Sequence, residues 1–308
     1  MIPYTRKTLP NGLTVVVNRD RASKLAAVNI LYRVGARNEN PARTGFAHLF
    51  EHLMFRGTRA VENFDLPVQM ASGDNNAFTN NDYTDFYITL PKDNLETALW
   101  LESDRMEGLD ITPAKLEAEK KVVIEEFRQR YLNQPYGDQT MLLRALAYKV
   151  HPYRWAAIGL ATDHIAGATL ADVESFYRAH YRPSNAILSI SADMEEERML
   201  ELAEKWFAPL ADHPSATAAI PQEPVQTQAR RQEVERDVPA STVTVAYHMC
   251  ARTKPDFYTA DLVSDLLSGG DSGRLYTHLV KERNLLSSVN AYITGDVDPG
   301  LFVFTGQL

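Results

Sequence analysis

The chain has 308 residues, of which 44% are apolar and 23% charged, with a formal net charge of −8. That length is more than one ordinary core needs and the balance is that of a globular protein, which excludes a disordered, fibrous or collagen-like chain. The negative charge gives a nucleic acid no footprint, no stretch approaches the roughly 20 apolar residues of a bilayer span, and the lone cysteine, Cys250, excludes an intrachain disulfide and a cysteine-rich metal site.

The first twenty residues carry no signal-peptide core and read as a hairpin turning at Asn11-Gly12. This favours a cytoplasmic protein; a leader removed ahead of this sequence would make it periplasmic. Strand 25–34 follows, then a helix over 46–55 and a short one over 65–72. The stretch SGDNNAFTNND reads as a polar loop running into an alternating strand at 83–90. Helices are predicted over 95–106 and 113–131, the second with Thr112 as N-cap and Pro113 at its first position. The pattern over 137–181 is helical, and Thr169 with Asp172 caps a helix ending near His180. Strand 186–192 and helix 195–206 complete the first part.

Residues 213–228 are rich in Pro, Ala, Thr and Gln without an apolar period, which predicts a linker. Beyond it the order is strand VTVAYHMC, with Cys250 as a small buried residue, helix 258–267, turn SGGDSG, helix 274–282, strand 288–293 and the strand-like LFVFTGQL. This order loosely repeats the start of the first part. The reading is a catalytic domain over 1–212, a linker over 213–228, and the truncated first part of a second, related domain over 229–308.

The chemistry concentrates in His48-Leu49-Phe50-Glu51-His52, an H-x-x-E-H arrangement. Positions four apart share a helix face, so both imidazoles can point at one ion, with the Glu51 carboxylate in reach of a water on that ion. Zinc with three protein ligands keeps a fourth position for water and lowers its pKa to about 7, and a neighbouring carboxylate then serves as general base. The plainer reading is surface polarity on a half-buried helix. A third ligand must come from elsewhere, and LEAEKKVVIEEF offers Glu117, Glu119, Glu125 and Glu126. Glu119 and Glu126, seven apart, share a face, but a charged solvent-facing helix fits that run as well. SGGDSG lacks the lysine of a phosphate loop, and the remaining histidines have no ligand spacing.

GFAHLFEHLMFRGT, SGDNNAFT and EKKVVIEEF together resemble the M16 peptidases, a family that includes pitrilysin, insulin-degrading enzyme and the mitochondrial processing peptidase. RPSNAILSISAD and SGRLYTHLVKERNLLSSVNAY extend the likeness over essentially the whole chain. The resemblance implies an α+β fold in which each unit packs an antiparallel sheet with helices. It implies one Zn2+ per chain held by His48, His52 and Glu126, with Glu51 as general base and Glu119 as a supporting catalytic carboxylate. It also implies that Asn76 and Ala77 bind the main chain of an extended peptide substrate that adds to a strand; the plainer reading of Asn76 is a turn residue bonding its own backbone. The expected activity is zinc endopeptidase on peptides or unfolded segments, and the alternative is a non-catalytic structural subunit of a larger complex. Val280 and Ser287 stand where many members carry an arginine and a tyrosine aimed at the facing half's site. That departure implies a complementary M16 half, a second subunit or a C-terminal continuation, rather than simple self-pairing.

Overall fold

A computed structural model describes residues 2–213 and 219–308; part of the predicted 213–228 linker therefore lies outside the described residues. In chain order the strands are β1 (Thr5–Thr8), β2 (Thr14–Arg19), β3 (Leu25–Tyr32), β4 (Asp74–Thr79), β5 (Thr84–Pro91), β6 (Ala186–Ala192), β7 (Thr242–His248), β8 (Ser288–Ile293) and β9 (Leu301–Gln307). The helices are α1 (Phe46–Leu53), α2 (Asp65–Met70), α3 (Leu95–Glu107), α4 (Pro113–Phe127), α5 (Gln139–Ala147), α6 (Thr162–Ala166), α7 (Leu170–His180), α8 (Glu196–Phe207) and α9 (Asp256–Ser268). They divide between two compact units, 1–127 with 155–221 and 128–154 with 222–308.

The first unit is built on a six-stranded sheet in the order β1-β2-β6-β3-β5-β4. All neighbours are antiparallel except β2 and β6, which run parallel and depart from the wholly antiparallel expectation. Alternation puts Val28 and Ile30 of β3 beside Ile88 and Phe86 of β5 and beside Ile190 and Leu188 of β6, all buried, while intervening residues face outward. Such a sheet has one face for helices and one for solvent; α3 packs on β3 and β5, and α8 on β2. The β1–β2 hairpin turns at Gly12, whose φ of 88° is the left-handed region that glycine adopts without strain.

Asp74–Thr79, read above as loop, is the edge strand β4. Thr112 does cap α4, its hydroxyl accepting from the Lys115 N–H at 3.2 Å, but the helix stops at Phe127 and the chain continues as a π-helical turn, Arg128–Leu132. At α7, Thr169 and Asp172 form a reciprocal capping box.

The second unit has a three-stranded antiparallel sheet in the order β7-β9-β8. Tyr148, Tyr153, Leu301 and Val303 are its buried core, and Leu143 and Ala147 of α5 pack against it. The succession of β7, α9, β8 and β9 repeats that of β3, α1, β4 and β5, with the same pairing of the last strand between the other two. Cys250 lies just past β7 and is half-buried rather than a buried strand residue.

Candidate metal centre

Helix α1 carries the H-x-x-E-H residues, and its start is unusual. Its N-cap is Gly45, at φ 90°, which has no side chain to satisfy the first N–H groups. Glu39 does that from outside the helix: its carboxylate accepts from the N–H of Gly45 and of Ala47, each at 2.9 Å, and from the indole of Trp155 at 3.1 Å. Burial pushes the Glu39 carboxyl up to about 8, against the pull of the Ala47 and Gly45 N–H groups and of Trp155. A β-carbon at Gly45 would sit 2.6 Å from the Ile158 carbonyl oxygen, so glycine is required on steric grounds too. Phe46, Ala47, Leu49, Phe50 and Leu53 are buried, which fixes the helix's rotation. Phe50 stacks on Phe176, Tyr177 and Tyr181 of and beside α7.

With that rotation set, His48 is buried and Glu51 and His52 are half-buried. Helix α4 packs against α1 and brings Glu126 to both imidazoles. His48 Nε2 lies 3.6 Å from Glu126 Oε1, and His52 Nε2 lies 3.3 Å from Glu126 Oε2. One ligand atom from each of the three falls within 4.8 Å of the others, the one such grouping among the described residues. Ligands at 2.0–2.1 Å around a tetrahedral zinc are about 3.3 Å apart, so the three fit such an ion. Two nitrogens and one carboxylate oxygen are also a donor set that zinc accepts, with a coordination position left over.

Glu119, one of the four candidate carboxylates, is buried on α4 two turns before Glu126 and does not join the three. It faces the other ring nitrogen, with His52 Nδ1 at 3.5 Å from its Oε2. Burial pulls the His52 imidazole down, but hydrogen bonding and charge from Glu119 and Glu126 outweigh it and push the ring up to about 9. Burial likewise works against the Glu119 carboxylate, and His52 and Arg56 outweigh it, holding its pKa below the ordinary value. Proton and metal compete for such a ring, since ligation needs the neutral imidazole.

Asn76 and Ala77 lie on β4, the edge of the sheet, which packs against α1. The Asn76 side chain is exposed and accepts from the Ala77 N–H at 2.8 Å. Two residues that sequence reasoning missed are Glu39 and Arg56. Only the adjacency of Arg56 to the motif, four positions past His52, could have signalled it; nothing local signals Glu39.

The family description "Insulinase (Peptidase family M16)" matches residues 14–156, and "Peptidase M16 inactive domain" matches residues 167–308. The zinc protease PqqE of Helicobacter pylori is 34% identical over 303 residues, which are 96% of this chain and 68% of that protein. The chain belongs to the M16 peptidases. The probable mitochondrial-processing peptidase subunit beta of Arabidopsis thaliana is 26% identical, over 97% of this M16 chain and 59% of its own length. A solved protease from Helicobacter pylori superposes with a TM-score of 0.94 at 32% identity, covering 100% of this chain and 75% of that one. Pitrilysin shares the fold, with a TM-score of 0.77 at 17% identity, and this chain spans 34% of it. The chain is thus an α+β protein of the M16 fold, and shorter than the relatives it matches.

Proposed function

We propose that this chain is the zinc-binding half of an M16 endopeptidase that hydrolyses peptides or unfolded polypeptide segments. The observation that carries the proposal is the convergence of His48, His52 and Glu126, from two packed helices, to ligand spacing. Zinc, when bound, supplies a Lewis acid that acidifies water and polarises a carbonyl. His48, His52 and Glu126 would hold that ion, and the Glu126 carboxylate would balance part of its charge. Glu51, adjacent to His52, takes the proton from the attacking water and delivers it to the amine nitrogen as the peptide C–N bond breaks. Glu119, whose Oε2 lies 3.5 Å from His52 Nδ1, favours the tautomer protonated at Nδ1 and so keeps Nε2 available for ligation.

The free edge of β4 beside α1 is suited to an extended peptide adding as a further strand, with Asn76 and Ala77 along it. The same proposal takes 1–212 as the catalytic domain, 213–228 as linker and 229–308 as the beginning of a second domain completed by a complementary M16 half. Exposed Tyr258, Leu262 and Leu266, at four-residue spacing on α9, support such a covering partner. The alternative, a non-catalytic structural subunit, is disfavoured by retention of all three candidate ligands together with Glu51.

The test is metal content and hydrolysis of an unstructured peptide by wild type, Glu51→Gln and Glu126→Gln, each with and without the complementary half. Glu51→Gln should keep zinc and lose at least about a hundredfold in rate; Glu126→Gln should lose much of its zinc. Full activity in Glu51→Gln would overturn the mechanism. No gain on adding the complementary half would undermine the two-half reading.

A further inference from the structure

Arg56 lies just past the end of α1, four positions after His52, in a turn closed by its own N–H donating to the Leu53 carbonyl at 3.0 Å. Its side chain is half-exposed, but its Nε reaches 2.5 Å from Oε1 of Glu119, a carboxylate only 1% exposed. The other oxygen of that carboxylate is the one turned to His52 Nδ1. The groups therefore run in a line: Arg56, Glu119, His52 and then Glu126 on the far side of the ring.

A fully buried carboxylate is costly unless a counter-charge and hydrogen-bond donors meet its oxygens. A neutral His52 ligating through Nε2 offers Glu119 a single N–H, which leaves one oxygen and the whole negative charge to be met by something else. The guanidinium is that counter-charge, and the chain carries it four positions past His52, just beyond the end of α1. An ion pair at one oxygen opposes rotation of the other oxygen away from the ring.

We propose that Arg56 is a positioning residue of the metal centre: by anchoring Glu119 Oε1 it holds Oε2 against His52 Nδ1 and so fixes the ring with Nε2 turned to the ion. This rests on the zinc reading proposed above. It makes Arg56 act on metal affinity through Glu119, without touching metal or substrate. Partners one shell out from a ligand typically change metal affinity by about 10–100-fold, and Arg56, one step further out, should sit at the lower end.

The experiment is zinc affinity by competition with a chromophoric chelator on the 308-residue chain, for wild type, Arg56→Gln, Arg56→Lys, Glu119→Gln and the Arg56→Gln/Glu119→Gln double variant. Thermal melts of the metal-free proteins check that each is folded, as the exposure of Arg56 leads one to expect. Arg56→Gln should weaken zinc roughly tenfold, Arg56→Lys should recover most of that loss, and in the Glu119→Gln background the Arg56 change should add less than about twofold. A wild-type affinity in Arg56→Gln, or an equal loss with and without Glu119, overturns the proposal while leaving the zinc reading intact. A wild-type chain that takes up no zinc removes the zinc reading and this proposal together.

Discussion

His180, near the aromatic cluster that backs α1, has its ring 4.6 Å from that of Phe176. Burial, together with the nearby charge of Arg182, pulls its pKa from 6.5 down to about 4. The unfolded imidazole takes its proton near 6.5 and the folded one not until about 4, so in that window the unfolded state binds more protons and stability falls as pH falls. Urea unfolding of wild type and His180→Gln across this window should show wild type losing more stability on acidification; a difference that does not vary with pH would contradict the burial argument. Residues like this one are hard to place from sequence, because a lone histidine has no spacing to interpret. His48, Glu51 and His52 are the opposite case, since helical periodicity alone aligns the two imidazoles. The candidate third ligand is intermediate: spacing narrows four glutamates to a shared face, the M16 resemblance points to Glu126, and the packing of α4 on α1 brings Glu126, not Glu119, close to Nε2 of both rings.

At the scale of elements, α1 depends on a residue that is not part of it. Glu39 receives two backbone N–H groups from the first turn and the Trp155 indole. Removing it leaves the two backbone donors unmet, each costing about 1–3 kcal/mol, while the indole keeps the Ala36 carbonyl at 3.1 Å. Glu39→Ala should therefore destabilise the metal-free chain by on the order of 3 kcal/mol and weaken zinc binding with it. A loss under about 1 kcal/mol in urea unfolding would mean that the helix start is held by its packing alone. Most elements were legible from sequence because their apolar period is regular: β6 and β8 fall at 186–192 and 288–293 as predicted, and the Thr169–Asp172 capping box starts α7. β4 was not, and the reason is physical. As an edge strand it has no buried position, only exposed and half-exposed ones, and its one large apolar residue, Phe78, is exposed, so no apolar period marks it. Helix α4 ends four residues before the predicted Tyr131 because its ladder gives way to a π-helical turn, which no propensity reveals.

At the scale of the whole molecule, two units use the same run of strand, helix, strand and strand, with the last strand in the middle of three. In the first unit β6, β2 and β1 extend that motif to a six-stranded sheet, and α4 packs on α1 at the candidate metal centre. In the second the described residues form three strands, and exposed apolar residues of α9 add to the departure at Val280 and Ser287 in favour of the complementary half proposed above. The catalytic reading nevertheless stands or falls within the first unit, where His48, His52 and Glu126 all lie. Zinc-edge X-ray absorption on the zinc-loaded chain tests it most directly. The arrangement predicts one zinc per chain with two imidazole nitrogens and a carboxylate oxygen at about 2.0–2.2 Å, and loss of the imidazole signal in the His48→Ala/His52→Ala variant. A spectrum with fewer than two imidazoles, or one unchanged by removing both histidines, would contradict it.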